Sequence, residues 1–227
     1  MSGDFYHILN RGVEEREIFY SDNDYLRFAH NLSDFNDINI SLPYRIRRPN
    51  NPAKQIGHRM SDKKRIVDLL CWCFMPNHVH VLVREEDDTG ASAFSKKIFG
   101  GYTKYINELK KRKGVLFQGR SKIILIEKDE HFSYLPFYIM ANPVSLIEPK
   151  WRERGLKDPG KAFGFLNDYR WSGFPDLTGA KKRNFPEAID KNLFYELFGT
   201  DERKFKDDFL EWLKGYKLDS GFDSFID

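Results

Sequence analysis

The nine residues Met75-Pro76-Asn77-His78-Val79-His80-Val81-Leu82-Val83 demand a strand that starts at a turn. Pro76-Asn77 is a turn pair between two apolar-rich runs, Ile66 to Phe74 and His78 to Arg84, which reads as a hairpin. Side chains alternate across a strand, so His78 and His80 share one face and Val79, Val81 and Val83 the other. Two imidazoles on one rigid face make half of a metal site, although two polar residues on a solvated face satisfy the same pattern. Register bears on a rival. If Met75 pairs with His78, Cys73 faces His80, and Cys71-x-Cys73 with His78-x-His80 invites Zn²⁺; one more turn residue puts Cys73 opposite Val79 instead.

The other elements follow from periodicity. Phe5 to Asn10 reads as a first strand, and Asp22 or Asp24 caps a helix carrying Tyr25, Phe28, Ala29 and Leu32. Ala91 to Lys113 is a long helix with Phe94, Ile98, Tyr102, Tyr105 and Leu109 at helical spacing, closed by a basic run and Gly114. Lys122 to Glu127 is a fourth strand, and His131 to Ala141 a third helix closed by Asn142-Pro143. The order β-α-β-β-α-β-α predicts an α+β, ferredoxin-like (RRM-like) core: an antiparallel sheet with helices on one face and the histidine strand central. Residues 41–62, rich in proline, asparagine and bases, read as a basic insertion loop. The expected domains are a core over 1–145 and a helical extension over 146–227, with helices at Pro186–Phe198 and Asp201–Tyr216.

Charge is small in sum, +3, but uneven. Eight Lys/Arg stand against one acid from Tyr44 to Arg65, and nine against one from Lys96 to Lys122. Acids outnumber bases eleven to seven from Arg183 onward, so a polyanion is expected on the front half. Two cysteines inside an apolar run, no apolar signal core and no stretch of ~20 apolar residues predict a soluble protein of the reducing cytoplasm.

Tyr138 and Asn142 stand at i and i+4, neighbours on one helix face. A carboxamide oxygen suits a hard divalent ion, and a phenol one turn away can reach what that ion holds. A core tyrosine and a helix-capping asparagine explain the same pair. Tyr102 and Tyr105 are rival nucleophiles, but Ile106 and Leu109 stand one turn on from them, as in a core. Phe117-Gln118-Gly119-Arg120 suits close approach to phosphate, or is simply a turn.

Together these motifs resemble a family. Met-Pro-Asn-His-Val-His-Val-Leu, then Tyr102…Tyr105-Ile106-Asn107, then Gly114-Val115-Leu116-Phe117-Gln118-Gly119-Arg120, then Tyr138-Ile139…Asn142-Pro143-Val144 look like the single-tyrosine HUH transposases (IS-two-hundred-like). Order and spacing are nearest to the REP-associated tyrosine transposases. The resemblance spans about residues 5–145 and extends weakly to Tyr169-Arg170-Trp171-Ser172-Gly173 and Leu193–Gly199. It implies an HUH endonuclease core with His78, His80 and Asn142 as ligands of Mg²⁺ or Mn²⁺, and Tyr138 as a nucleophile on single-stranded DNA. Attack would leave a 5′-phosphotyrosine and a free 3′-OH near a DNA hairpin. The residues expected on DNA are Arg11, Lys97, Tyr102, Lys104, Gln118, Arg120 and Lys122. The expected partner is hairpin-bearing single-stranded DNA, with a homodimer left open, no membrane, and a place at the nucleoid. The competing class is a ferredoxin-like single-strand binder that cuts nothing; a third reading is a domesticated transposase that nicks or binds host hairpins without mobilising itself.

Overall fold

The computed structural model describes residues 3–38, 64–85, 87–180 and 188–216, so the basic segment 41–62 lies outside the described residues. Four strands, β1 (Asp4–Arg11), β2 (Asp68–Met75), β3 (His78–Glu85) and β4 (Lys122–Leu125), form one sheet in the order β2-β3-β1-β4. Every neighbouring pair is antiparallel, the ferredoxin-like order, and β3 is a central strand as expected. Pro76-Asn77 closes a two-residue turn, so Met75 pairs with His78 and Cys73 with His80. β4 stops at Leu125, two residues short of the expected strand.

One face carries Ile8, Phe74, Val79 and Val81, and two helices cover it. In α1 (Asp22–Asp34), Phe28 lies 5.0 Å from the Phe74 ring and 4.9 Å from that of Tyr102 in α2 (Gly90–Leu109). α2 ends four residues earlier than its bases suggest. Lys111 turns to φ 52°, Gly114 to φ 100°, and the Asn107 amide donates to the Gly114 carbonyl.

The expectation of helices on one face holds for α1 and α2 but not for α3 (Asp129–Ala141). α3 lies across the opposite face, with Tyr138 against His80. The reason is visible in β2, where Leu69 to Met75 contain no charged residue and are all buried. A strand apolar on both sides must be covered on both sides. β3 is alike, with only His78 partly exposed.

The chain beyond Asn142 belongs to the same packing. A 3₁₀ turn (Asn142–Leu146) leads to α4 (Trp151–Arg154), α5 (Pro159–Asp168), α6 (Phe174–Leu177), α7 (Lys191–Phe198) and α8 (Glu202–Gly215). Asp190 and Asp201 cap α7 and α8 by accepting from the Leu193 and Lys204 amides; α7 starts at Lys191, whereas the expected helix began at Pro186, which lies outside the described residues. α5 was not expected, although Asp158 caps it and Pro159 opens it. Residues 171–173 run along the β2 edge: the Phe74 amide donates to the Trp171 carbonyl and the Gly173 amide to that of Trp72, both at 2.8 Å. That closes an edge strand otherwise open to pairing. A Cβ at Gly173 would meet Ile189 Cδ1 at 2.5 Å, so a larger residue there would have to displace the end of the Ile189 side chain. Phe209 of α8 packs on Phe137 of α3 at 5.4 Å and thereby backs the helix that carries Tyr138. No helix among the described residues is long and apolar enough to cross a membrane.

Candidate active site

Register builds the site. His80 sits between Leu9 and Cys73, His78 between Arg11 and Met75, and all six side chains share the face beneath α3. Helix α3 brings Tyr138 to within 6.1 Å of the His80 ring, edge to face, and the His78 and His80 rings lie 4.9 Å apart. Asn142 follows one turn after Tyr138 and lies near enough to His78 for its carboxamide to favour the protonated ring, against the larger effect of burial. His78, His80, Tyr138 and Asn142 therefore meet in one place.

Each side chain is held from behind. The Asn142 Nδ2 donates to the Tyr138 and Ile139 carbonyls at 3.1 and 3.2 Å, which caps α3 and turns Oδ1 outward. Capping and ligation are thus compatible roles for this residue. His78 Nδ1 shares a 2.6 Å hydrogen bond with Asn77 Oδ1. His80 Nδ1 shares one of 2.9 Å with Nε2 of His7, whose ring stacks on it at 7°. Sequence reasoning missed His7: it is two residues from Leu9 on the same face, but only register reveals that it backs His80.

Burial sets the protonation states. His7 and His78 titrate near 3, chiefly because burial disfavours the cation, with Lys122 adding to the effect at His7 and Arg11 and Arg152 at His78. His80 falls well below the ordinary value from burial, then from His78 and His7. All three imidazoles are neutral at pH 7, as ligation requires. A folded-state value below the unfolded 6.5 gives a definite sign: the unfolded chain takes up protons that the fold refuses, so stability falls as pH drops from 6.5 toward 3. In chelator, His7 alone is expected to cost about 2 kcal/mol between pH 6.5 and 5. His7→Gln should remove one proton's worth of that slope in denaturant titrations; an unaltered slope would mean that His7 is not buried neutral.

Could these groups hold an ion? The His80 Nε2 is buried with no hydrogen-bond partner among the described residues, as a nitrogen kept for a ligand would be. If it ligates, its Nδ1 carries the hydrogen and donates to His7. Among the described residues no three His, Cys, Asp or Glu side chains are grouped for an ion. A divalent ion would take its third protein donor from Asn142. The Zn²⁺ alternative fares worse: Cys73 does face His80, but among the described residues no three His, Cys, Asp or Glu side chains are grouped to hold an ion.

Of the residues expected on DNA, Arg11, Gln118, Arg120 and Lys122 line one cleft of about 570 Å³ beside β1. The Gln118 amide donates to the Arg11 carbonyl at 2.8 Å, which straps 118–120 to the end of β1. Arg11 and Lys122 share the histidine face, so these two cations stand on the same side of the sheet as the site. The others lie elsewhere. Tyr102 is fully buried and donates to the Ile18 carbonyl at 2.7 Å, so the packing of α2 leaves no face for a base. Lys97 Nζ donates to the Asp37 carbonyl at 2.6 Å, and Lys104 is exposed on α2. Tyr105, the other rival nucleophile, is a core residue donating to Asp24.

Sequence reasoning also missed Arg152. From α4 its guanidinium lies over the Tyr138 ring, Cζ 4.0 Å from the centroid. It donates to the Tyr138 carbonyl at 3.3 Å and to Asn142 Oδ1 at 3.4 Å. Arg152 stands ten positions after Asn142, and the chain between them carries no signal of this contact.

No family model and no curated protein matches the chain. Among solved structures, the chain is similar to a REP-associated tyrosine transposase bound to a REP hairpin. The two share 16% identity over 83% of this chain and 88% of that chain, with a TM-score of 0.45.

Proposed function

We propose that this protein is a divalent-metal-dependent strand transferase of single-stranded DNA that forms a 5′-phosphotyrosine through Tyr138 near a DNA hairpin. The observation that carries the reading is the meeting of a phenol, two neutral imidazoles and a carboxamide oxygen on one sheet face, beside a cleft lined by Arg11, Arg120 and Lys122. His78, His80 and Asn142 would hold Mg²⁺ or Mn²⁺, which when bound supplies Lewis-acid polarisation of the phosphodiester. The cleft cations bind the backbone and align it. His7 fixes the tautomer and orientation of His80, and Asn77 those of His78. Tyr138 attacks phosphorus and expels the 3′-oxygen; the ester bond energy is retained, so the same 3′-OH or another can reverse the step. Tyr138 is only 1% exposed, so the seam between α3 and α4 must part for DNA to reach its hydroxyl.

The test is incubation with hairpin DNA carrying single-stranded flanks, in Mn²⁺ and in chelator. A denaturation-resistant protein–DNA adduct that requires the metal and maps to Tyr138 is the expected result. Tight hairpin binding with no adduct in any divalent metal would favour the non-catalytic binder, a reading that the burial of Tyr138 gives some weight.

A further inference from the structure

α4 is anchored by Trp151, which is buried against Trp212 and Tyr216, at 6.3 and 4.7 Å. The next residue, Arg152, is thereby turned into the site. Every group its guanidinium touches is neutral: the Tyr138 ring, the Tyr138 carbonyl, the Asn142 carboxamide and, at 5.2 Å, the Trp151 ring. The two hydrogen bonds are long, at 3.3 and 3.4 Å, and Nε is buried with no partner among the described residues. No ion pair joins Arg152 to any described residue. Its positive charge is felt by His78, His80 and Cys73. A half-buried cation with slack hydrogen bonds and no counter-charge among the described residues is a costly arrangement unless an anion completes it.

From this geometry we infer that Arg152 is a phosphate-binding residue of the site, supplied by the carboxy-terminal extension, which takes the non-bridging oxygens of a single-strand phosphodiester next to Tyr138. The inference rests on the reading that DNA enters this site, but not on metal or on chemistry. Guanidinium matches two phosphate oxygens with two N–H groups, and its unpartnered Nε–H is one of the donors such a fork uses. The anion would also lower the repulsion that a divalent ion meets from Arg152 beside three uncharged donors.

The experiment is hairpin binding by fluorescence anisotropy in chelator, where no strand is cut, across a salt series. One phosphate contact contributes about 0.7 to the slope of log K against log salt for single strands. Arg152→Gln should weaken binding about tenfold at low salt and flatten the slope by about that amount, whereas Arg152→Lys should keep the wild-type slope. A folded Arg152→Gln with unchanged slope would overturn the assignment and leave Arg152 a clamp between α3 and α4. Should Arg152→Gln fail to fold, the Arg152 Nε–H resonance of the wild type, recognised by its loss in Arg152→Lys, carries the test. It must move on addition of the dinucleotide d(TpT) and not with its uncharged methylphosphonate; indifference to both, or equal response, refutes phosphate binding. A slope loss without any Tyr138 adduct would keep this phosphate site and discard the nucleophile, so the two ideas fail separately.

Discussion

Tyr138→Phe is expected to reduce covalent adduct formation to background, a loss of at least about 10⁴-fold, while hairpin affinity in chelator stays within about threefold. The substitution removes one oxygen and keeps the ring. The edge contact to His80, the Arg152 guanidinium at 4.0 Å and the tilted pair with Tyr134 at 6.1 Å all remain. Loss of the hydroxyl's own hydrogen bonding should cost about 1 kcal/mol of stability, small for a side chain at the centre of α3. Affinity should be spared because single-strand binding draws on phosphate contacts, and the cleft cations Arg11, Arg120 and Lys122 lie on β1, β4 and the strap before β4. The assay is a denaturing gel with 5′- and 3′-labelled strands, in which only the label on the 5′-phosphate side of the cut travels with the protein. An adduct that survives Tyr138→Phe would transfer the nucleophile to another residue. Tyr102 and Tyr105 are poor substitutes, since their hydroxyls donate to Ile18 and Asp24 deep beneath α2, on the far face of the sheet.

How far the chain announces this arrangement depends on the distance over which each contact is made. The His hairpin, α1, α2 and α3 rest on local alternation and helical spacing, and each appears within a few residues of its expected place. Tyr138 and Asn142 are one helical turn apart, so their common face was legible too. The covering of both sheet faces was legible in principle, because β2 has no polar side, but helical periodicity alone says nothing of which face a helix chooses. His7 and Arg152 were not legible. One joins the site through strand register 73 residues from His80, the other through a turn at Lys150, which takes φ 66°, and a tryptophan anchor. Both are side chains that act on a neighbour, and neighbours across a fold leave no local pattern. Tyr102 shows the converse: a basic helix suggested an exposed aromatic, whereas its i and i+4 partners placed it in the core.

His78→Ala and His80→Ala should both lower metal-dependent adduct formation by at least about 10³-fold, yet differ sharply in stability, and the difference separates ligand from scaffold. His78 is half-buried at the turn end of β3 and its main partner is Asn77, so its loss should cost no more than about 1 kcal/mol. His80 is fully buried in the central strand, packed on His7 and Tyr138. Truncation there leaves a cavity and strips His7 Nε2 of its partner, so about 2–4 kcal/mol should be lost, read as a lower denaturation midpoint at unchanged slope. His7→Gln is the intermediate case: an amide can still meet His80 Nδ1, but less rigidly, and an outer-shell change of this kind should weaken Mn²⁺ affinity by about 10–100-fold. Manganese binding by electron paramagnetic resonance on the DNA-bound, uncut Tyr138→Phe background reads that affinity without any turnover. If His78→Ala binds Mn²⁺ as tightly as its parent, the imidazole pair serves the fold alone. The strand transferase reading would then have no place for its ion, because no three His, Cys, Asp or Glu side chains are grouped to hold one elsewhere among the described residues.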